Sequence, residues 1–277
     1  MNGHLMKKGN SVCRLLNKLL YLVFISMALW SCEGEEPELQ VRGIRLHFDH
    51  HLNTNKLVFN SMQYINAAGN PYEVKEIMYF ISDVKLYHSN GNLISKGSLN
   101  DIHYTDTNLP ETWEWLITGD YPTGTYDSLS FTFGIKSSKN QSFMFVNPPE
   151  VNMAWPEVLG GGYHYLMLNG WWRDTVDLRR PFDFHLGIGQ IYENNSGQVP
   201  DIIEFVDNSF SVKVSGAPFR LEDAKVTDLR LVMNVERWFN TPVIYDHNIW
   251  GGAIMQKQEA MHLGCLNGWD VFTLEPY

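Results

Sequence analysis

Cysteine is scarce: Cys13, Cys32 and Cys265 are the three in the chain, which leaves no disulfide framework to staple a small fold. Clustered lysine or arginine is missing beyond the first residues, and the formal charge is −10. A phosphate backbone therefore has nothing to bind to, and nucleic acid is excluded as a partner. No Cys-x-x-Cys pair offers a sequence-local zinc site. No Gly-x-Ser-x-Gly elbow or metalloprotease motif occurs, and the reading is that the protein is not an enzyme. Gly160-Gly161-Gly162 lacks both the spaced glycines of a dinucleotide fingerprint and the Lys-Ser/Thr end of a P-loop, so it reads as a turn where backbone approaches backbone. No repeat of fixed period appears, which disfavours a propeller or solenoid. No Pro/Gly/Ser-rich linker divides the chain after its first segment, so residues 40–277 are expected to form a single domain.

What is present begins at the N-terminus. Lys7, Lys8, Arg14 and Lys18 precede an apolar run from Leu19 to Trp30, the order of a secretory signal. The run is short for a bilayer span. It ends at Leu29-Trp30-Ser31-Cys32, which resembles a lipobox: a small residue before the cysteine that is lipidated. The expectation is a lipoprotein signal peptide over 1–31 with lipidation at Cys32; an uncleaved anchor or buried hydrophobic helix is the competing reading. Residues 32–39, with Glu33, Glu35, Glu36 and Glu38 around Pro37, cannot bury apolar area and read as an acidic tether. The expected location is the cell envelope, as an outer membrane lipoprotein facing the periplasm or the surface.

The remaining residues read as short strands separated by turns. Apolar positions alternate over Val41–Phe48, Leu57–Ile65, Glu76–Tyr87 (broken near Ser82-Asp83), Ile102–Tyr104, Ser128–Ile135 and Tyr163–Trp171. Later strands are expected at Phe182–Gly189, Ile202–Phe205, Phe210–Val214 and Val226–Val235. Asn90-Gly91 is a hairpin signal. Helical periodicity is scarce, with Met255–His262 the clearest short piece. The fold class is all-β, an antiparallel β-sandwich of immunoglobulin-like kind with long loops and few short helices.

Several segments, in order, resemble the methanobactin-associated MbnP-like family. They are Phe48-Asp49-His50; Tyr64-Ile65-Asn66-Ala67-Ala68-Gly69-Asn70-Pro71-Tyr72 followed by Ile77-Met78-Tyr79-Phe80-Ile81-Ser82-Asp83; Phe131–Gly134; Tyr163–Gly170; and Phe184-His185-Leu186-Gly187. The resemblance implies an exported β-rich protein, copper as cofactor, and a dihaem peroxidase-like partner that oxidises a tryptophan in some members. Met153–Tyr165 resembles the family's Trp-containing segment, which makes Trp155 the candidate for an oxidised tryptophan. Some copper-binding relatives carry Trp-x-His, and no Trp-x-His occurs here, so copper binding does not carry over automatically.

Histidine is a common copper or zinc ligand. His50, His164 and His185 are the candidate metal ligands, with His262 in reserve, because each stands on or beside a strand or in a Met-bearing stretch. On an extended strand His47 and His51 face away from His50, so these three cannot share one ion without a bend. Met153, Met255 and Met261 offer thioethers, although methionine more often fills a core. Cys265 reads as a small core residue. The expected function is binding of a metal ion, copper, through histidines for uptake or handling in the cell envelope. The alternative is a metal-free surface module for glycan or protein, with Trp155, Trp171, Trp172, Trp238, Trp250 and Trp269 supplying an aromatic face.

Overall fold

The alternation read from the sequence builds two sheets. In β1 (Gly43–Leu52), Leu46, Phe48 and His50 take the core face, while Arg45, Asp49 and His51 stay partly exposed. These statements come from a computed structural model that describes residues 42–91, 93–94 and 102–277. The signal segment 1–31, Cys32 and the tether 32–39 lie outside the described residues. Residues Gln40–Tyr277 form one compact unit. No helix among the described residues is long and apolar enough to cross a membrane.

The first sheet centres on β1, which pairs with β2 (Asn55–Lys56), β7 (Glu114–Thr118) and β14 (Val226–Asn234); β15 (Phe272–Pro276) adds to β14. The second is built on β4 (Pro71–His88), paired with β3 (Tyr64–Ile65), β5 (Leu93–Ile94), β6 (Ile102–Asp106), β8 (Gly124–Phe133) and β9 (Leu166–Arg173). Beside these lie β10 (Arg179–Leu186) on β9 and β13 (Phe210–Leu221) on β8. A separate ribbon joins β11 (Gly189–Tyr192) to β12 (Ile202–Val206). The sheets pack through aromatic rings: Phe48 meets Tyr79 at 6.3 Å between centroids, and Phe272 meets Phe131 at 5.1 Å and Phe133 at 5.7 Å. Each such pair contributes about 0.5–1.5 kcal/mol beyond its buried area. The fold is a mostly-β sandwich, as the strand pattern predicts.

Three details differ from the expectation. The sandwich is not antiparallel throughout, because β1 and β14 run parallel from Gly43/Val226 to His51/Asn234. A parallel pair needs a long crossover, and the whole second sheet lies between these strands in sequence. The strand expected over Leu57–Ile65 is reduced to Tyr64–Ile65, since Asn60 turns at φ +56° and its N–H donates to the Val74 carbonyl at 2.8 Å. The helix expected over Met255–His262 is shifted to Gln258–Asn267. The break near Ser82-Asp83 is an irregularity inside one long strand: Asp83 has φ +55°, and the β4–β8 register shifts between Ser82 and Lys85.

Candidate functional site

Register brings one set of polar side chains together on the outer face of the second sheet. Glu76 on β4 lies directly opposite Asn169 on β9, and Asn169 opposite Asp183 on β10. One row over, Met78, Met167 and His185 form a second cross-strand line. Directly paired residues point to the same face, with Cβ atoms about 5 Å apart. The inward-facing neighbours Ile77, Leu168, Phe184 and Leu186 are fully buried in the core, so the alternation that fills the sandwich also exposes this row.

His164 arrives from a different element. The Met153–His164 segment folds back on itself through a bridge between Ala154 and Tyr163. The Trp155 N–H donates to the Gly162 carbonyl at 2.8 Å, and the His164 N–H to the Met153 carbonyl at 2.7 Å. The turn is the glycine run: Gly160, Gly161 and Gly162 have φ of +112°, +66° and +77°, a region that penalises any Cβ. At Gly162 a Cβ would also lie 2.5 Å from the Asn140 carboxamide. The turn sets Trp155 edge-on to the His164 ring, with centroids 4.6 Å apart, and His164 in turn stands edge-on to His185 at 5.1 Å.

The hydrogen bonds fix which nitrogen of each ring carries the proton. His164 Nδ1 is 2.9 Å from the Met153 carbonyl oxygen, an acceptor only. Nδ1–H therefore donates, and Nε2 keeps its lone pair. His185 Nε2 is 2.7 Å from Asn169 Oδ1. The Asn169 amide is oriented by Glu76, whose carboxylate accepts from Asn169 Nδ2 at 3.0 Å. His185 Nε2–H therefore donates, and Nδ1 keeps its lone pair. Burial pushes His164 down to about 4 against the pull of the Met153 and Ala154 carbonyls. Burial, with His164 as neighbour, pushes His185 down to about 3. Burial alone would raise the Glu76 carboxyl, but hydrogen bonds from Asn169 and Lys75 outweigh it and hold it below its ordinary value. At neutral pH the pair is two uncharged imidazoles, each with one nitrogen free of a proton, which is the form that binds metal.

The other predicted ligands stand elsewhere. His50 is buried on the core face of β1, edge-on to Tyr79 at 5.7 Å, with Nε2 unpartnered and its pKa lowered to about 4 by burial. His262 is exposed on the helix Gln258–Asn267, beside a trough formed with β11. Strand spacing alone does not reveal that these two lie on other surfaces. Among the described residues no group of three or more His, Cys, Asp or Glu side chains is arranged to hold a metal ion; the two-histidine pair is below that size. Met153 and Met261 are buried, and Met261 Sδ accepts a weak hydrogen bond from Asn208 at 3.8 Å. The Cys265 thiol donates to the Asn208 carbonyl at 3.3 Å, and burial raises it to about 12, so it stays protonated. The tryptophans do not share a face: Trp155, Trp172 and Trp238 are buried, Trp269 is exposed, and Trp171 lies under Arg179.

Met78, Met167, Asn169 and Glu76 escaped the sequence reading as site residues. The signal that finds them is the period of two: His185 with Asp183, Met167 with Asn169, and Met78 with Glu76 are all i, i+2 pairs on adjacent strands.

No curated protein matches the chain. Among solved structures, MbnP from Methylosinus trichosporium is similar at 16% sequence identity, with a TM-score of 0.45 over 73% of this chain and 78% of that one. The family model described as MbnP matches residues 41–256, most of the chain, and the chain belongs to the MbnP family.

Proposed function

We propose that this protein is a copper-binding lipoprotein of the cell envelope that holds the ion between His164 and His185. One observation carries the reading: two neutral imidazoles, His164 buried and His185 half-buried, stand 5.1 Å apart, each with its proton committed to an oxygen acceptor and its other nitrogen bare. The donor set fits copper in its reduced state. Imidazole suits copper in general, and the half-buried thioethers of Met78 and Met167, in the same row as His185, favour the soft monovalent ion. Asn169 and Glu76 serve as the outer partners that orient a ligating histidine.

Trp155 is the proposed counterpart of the tryptophan that some family members oxidise. Its ring packs on His164 although eight intervening residues replace the Trp-x-His spacing. Its oxidation by a dihaem peroxidase-like partner is part of the proposal, as are export through the 1–31 signal, lipidation at Cys32 and an outer membrane location. The protein carries copper rather than transforming a substrate.

The test is anaerobic titration of the purified mature protein with copper(I) against a competing chelator. The expectation is one tight equivalent in the wild type, lost in His164→Ala and His185→Ala and retained in His262→Ala. Absence of tight copper in the wild type would remove the metal reading. Tandem mass spectrometry of protein coexpressed with the peroxidase-like partner reports the state of Trp155.

A further inference from the structure

A trough of about 660 Å³ runs between β11 with its following turn and the segment from Trp250 into the helix Gln258–Asn267. Its walls include the carboxamides of Gln190, Asn195, Gln256 and Gln258 and the aromatic rings of Tyr192 and Trp250. It is lined by neither side chain of the histidine pair.

The carboxamides of Gln190, Gln256 and Gln258 are tied into a hydrogen-bond network. Gln190, buried to 1% exposure, spends its Nε2 on the carbonyls of Leu159 at 2.8 Å and Ile188 at 2.6 Å. Gln258 and Asn208 exchange two hydrogen bonds, at 3.0 and 2.9 Å. The Tyr192 hydroxyl lies 3.5 Å from Gln190 Oε1 and 3.4 Å from Gln256 Oε1. One hydroxyl proton serves two oxygens, and a carbonyl oxygen has two lone pairs, so the exposed Gln256 Oε1 keeps acceptor capacity for a ligand. Gln256 Nε2 adds two donors, leaving donor and acceptor side by side on one planar group.

The charges at the trough are balanced and partly committed. Lys257 and Glu259 carry opposite signs, and Lys257 Nζ donates to the Trp250 carbonyl at 2.6 Å. That hydrogen bond closes the 250–257 segment and fixes the backbone beneath the half-buried Trp250 ring. One lysine against one glutamate leaves no excess of either sign to select an ion, whereas a neutral ligand with adjacent hydroxyls finds a match. Each hydroxyl both donates and accepts, as the Gln256 amide requires, and the C–H face of a sugar ring suits an indole face. The volume falls in the range of small-ligand clefts.

We infer that this trough is a binding site for a neutral pyranose, a mono- or disaccharide unit, stacked on Trp250 and hydrogen-bonded by Gln256. The site is independent of copper. The experiment titrates the copper-free mature protein with glucose, galactose, N-acetylglucosamine, maltose, cellobiose and lactose, followed by calorimetry and tryptophan fluorescence. At least one of these is expected to bind at millimolar concentration. Affinity is expected to fall at least about tenfold in Trp250→Ala and in Gln256→Ala, and to hold in His164→Ala/His185→Ala. Gln256→Ala removes only a surface amide, so it decides the matter if Trp250→Ala fails to fold. Binding of none of the six sugars, or binding that survives Gln256→Ala unchanged, would overturn the inference.

Discussion

His185 and Asn169 are joined by a hydrogen bond of 2.7 Å whose direction is set one residue further out, where Glu76 takes the Asn169 amide protons. The chain of command runs from a carboxylate, through an amide, to the protonation site of an imidazole. Replacing Asn169 by Leu leaves the fold's alternation intact but releases the ring. Copper(I) affinity is expected to drop about 10–100-fold, with little change in thermal midpoint. An unchanged affinity would show that the His185 tautomer needs no such support.

Met167 faces His185 directly across β9 and β10. If its thioether joins the copper, Met167→Leu keeps the volume and removes the soft donor. Copper(I) affinity falls while copper(II) affinity stays, which paired titrations under reducing and oxidising conditions will read. Equal losses in both states would assign Met167 a packing role.

Acid stability follows from the buried and half-buried histidines. Burial lowers His50, His103 and His164 to about 4, and His185 and His247 to about 3. In the unfolded chain these rings titrate near their ordinary value of about 6.5. Below that value the unfolded chain binds more protons, so stability falls with pH until the folded rings themselves titrate at about 4 and 3. Each ring contributes a slope of about 1.4 kcal/mol per pH unit in that window. Denaturant melts are expected to show a steep loss between about pH 6.5 and 5 and a plateau above. A flat profile over that window would mean that the rings are not neutral and enclosed.

The same shifts govern copper. A solvent-exposed histidine loses metal to protons near its ordinary pKa, whereas His164 resists protonation down to about 4. Copper(I) affinity is therefore expected to be flat from about pH 8 to 6. A tenfold loss over that range would point to ligands other than this pair.

Gly162 supports the turn that sets Trp155 against His164. Its φ of +77° and the Asn140 carboxamide 2.5 Å from an added Cβ make Gly162→Ala costly on two counts. Asn140 cannot easily give way, because its Oδ1 accepts from the Tyr163 N–H at 2.9 Å. The expected loss is about 1–3 kcal/mol in a denaturant melt, together with weaker copper binding. A variant as stable as wild type would remove the turn from the account.

Most strands were legible because one face of each fills a core: Ile77, Tyr79, Phe131, Phe133, Leu166 and Leu168 are all buried at alternating positions. β7 and β15 were not read, being short strands whose order depends on partners distant in sequence. Parallel pairing of β1 with β14 leaves no local trace for the same reason. At the site, His164, His185 and Trp155 were legible as residue types, and their meeting was not. It depends on three consecutive left-handed glycines and on the register of β9 with β10, which motif spacing does not encode. Trp155 and His164, nine positions apart, meet through a fold-back that residue spacing does not announce.

The most direct measurement is nitrogen-15 NMR of protein labelled in its histidine rings, recorded as one equivalent of copper(I) is added under reducing conditions. Copper between the two imidazoles predicts that His164 Nε2 and His185 Nδ1 shift together and saturate at one equivalent, while the N–H resonances at His164 Nδ1 and His185 Nε2 persist. Shifts confined to His262 or His50, or no shift at His164 and His185, would contradict it.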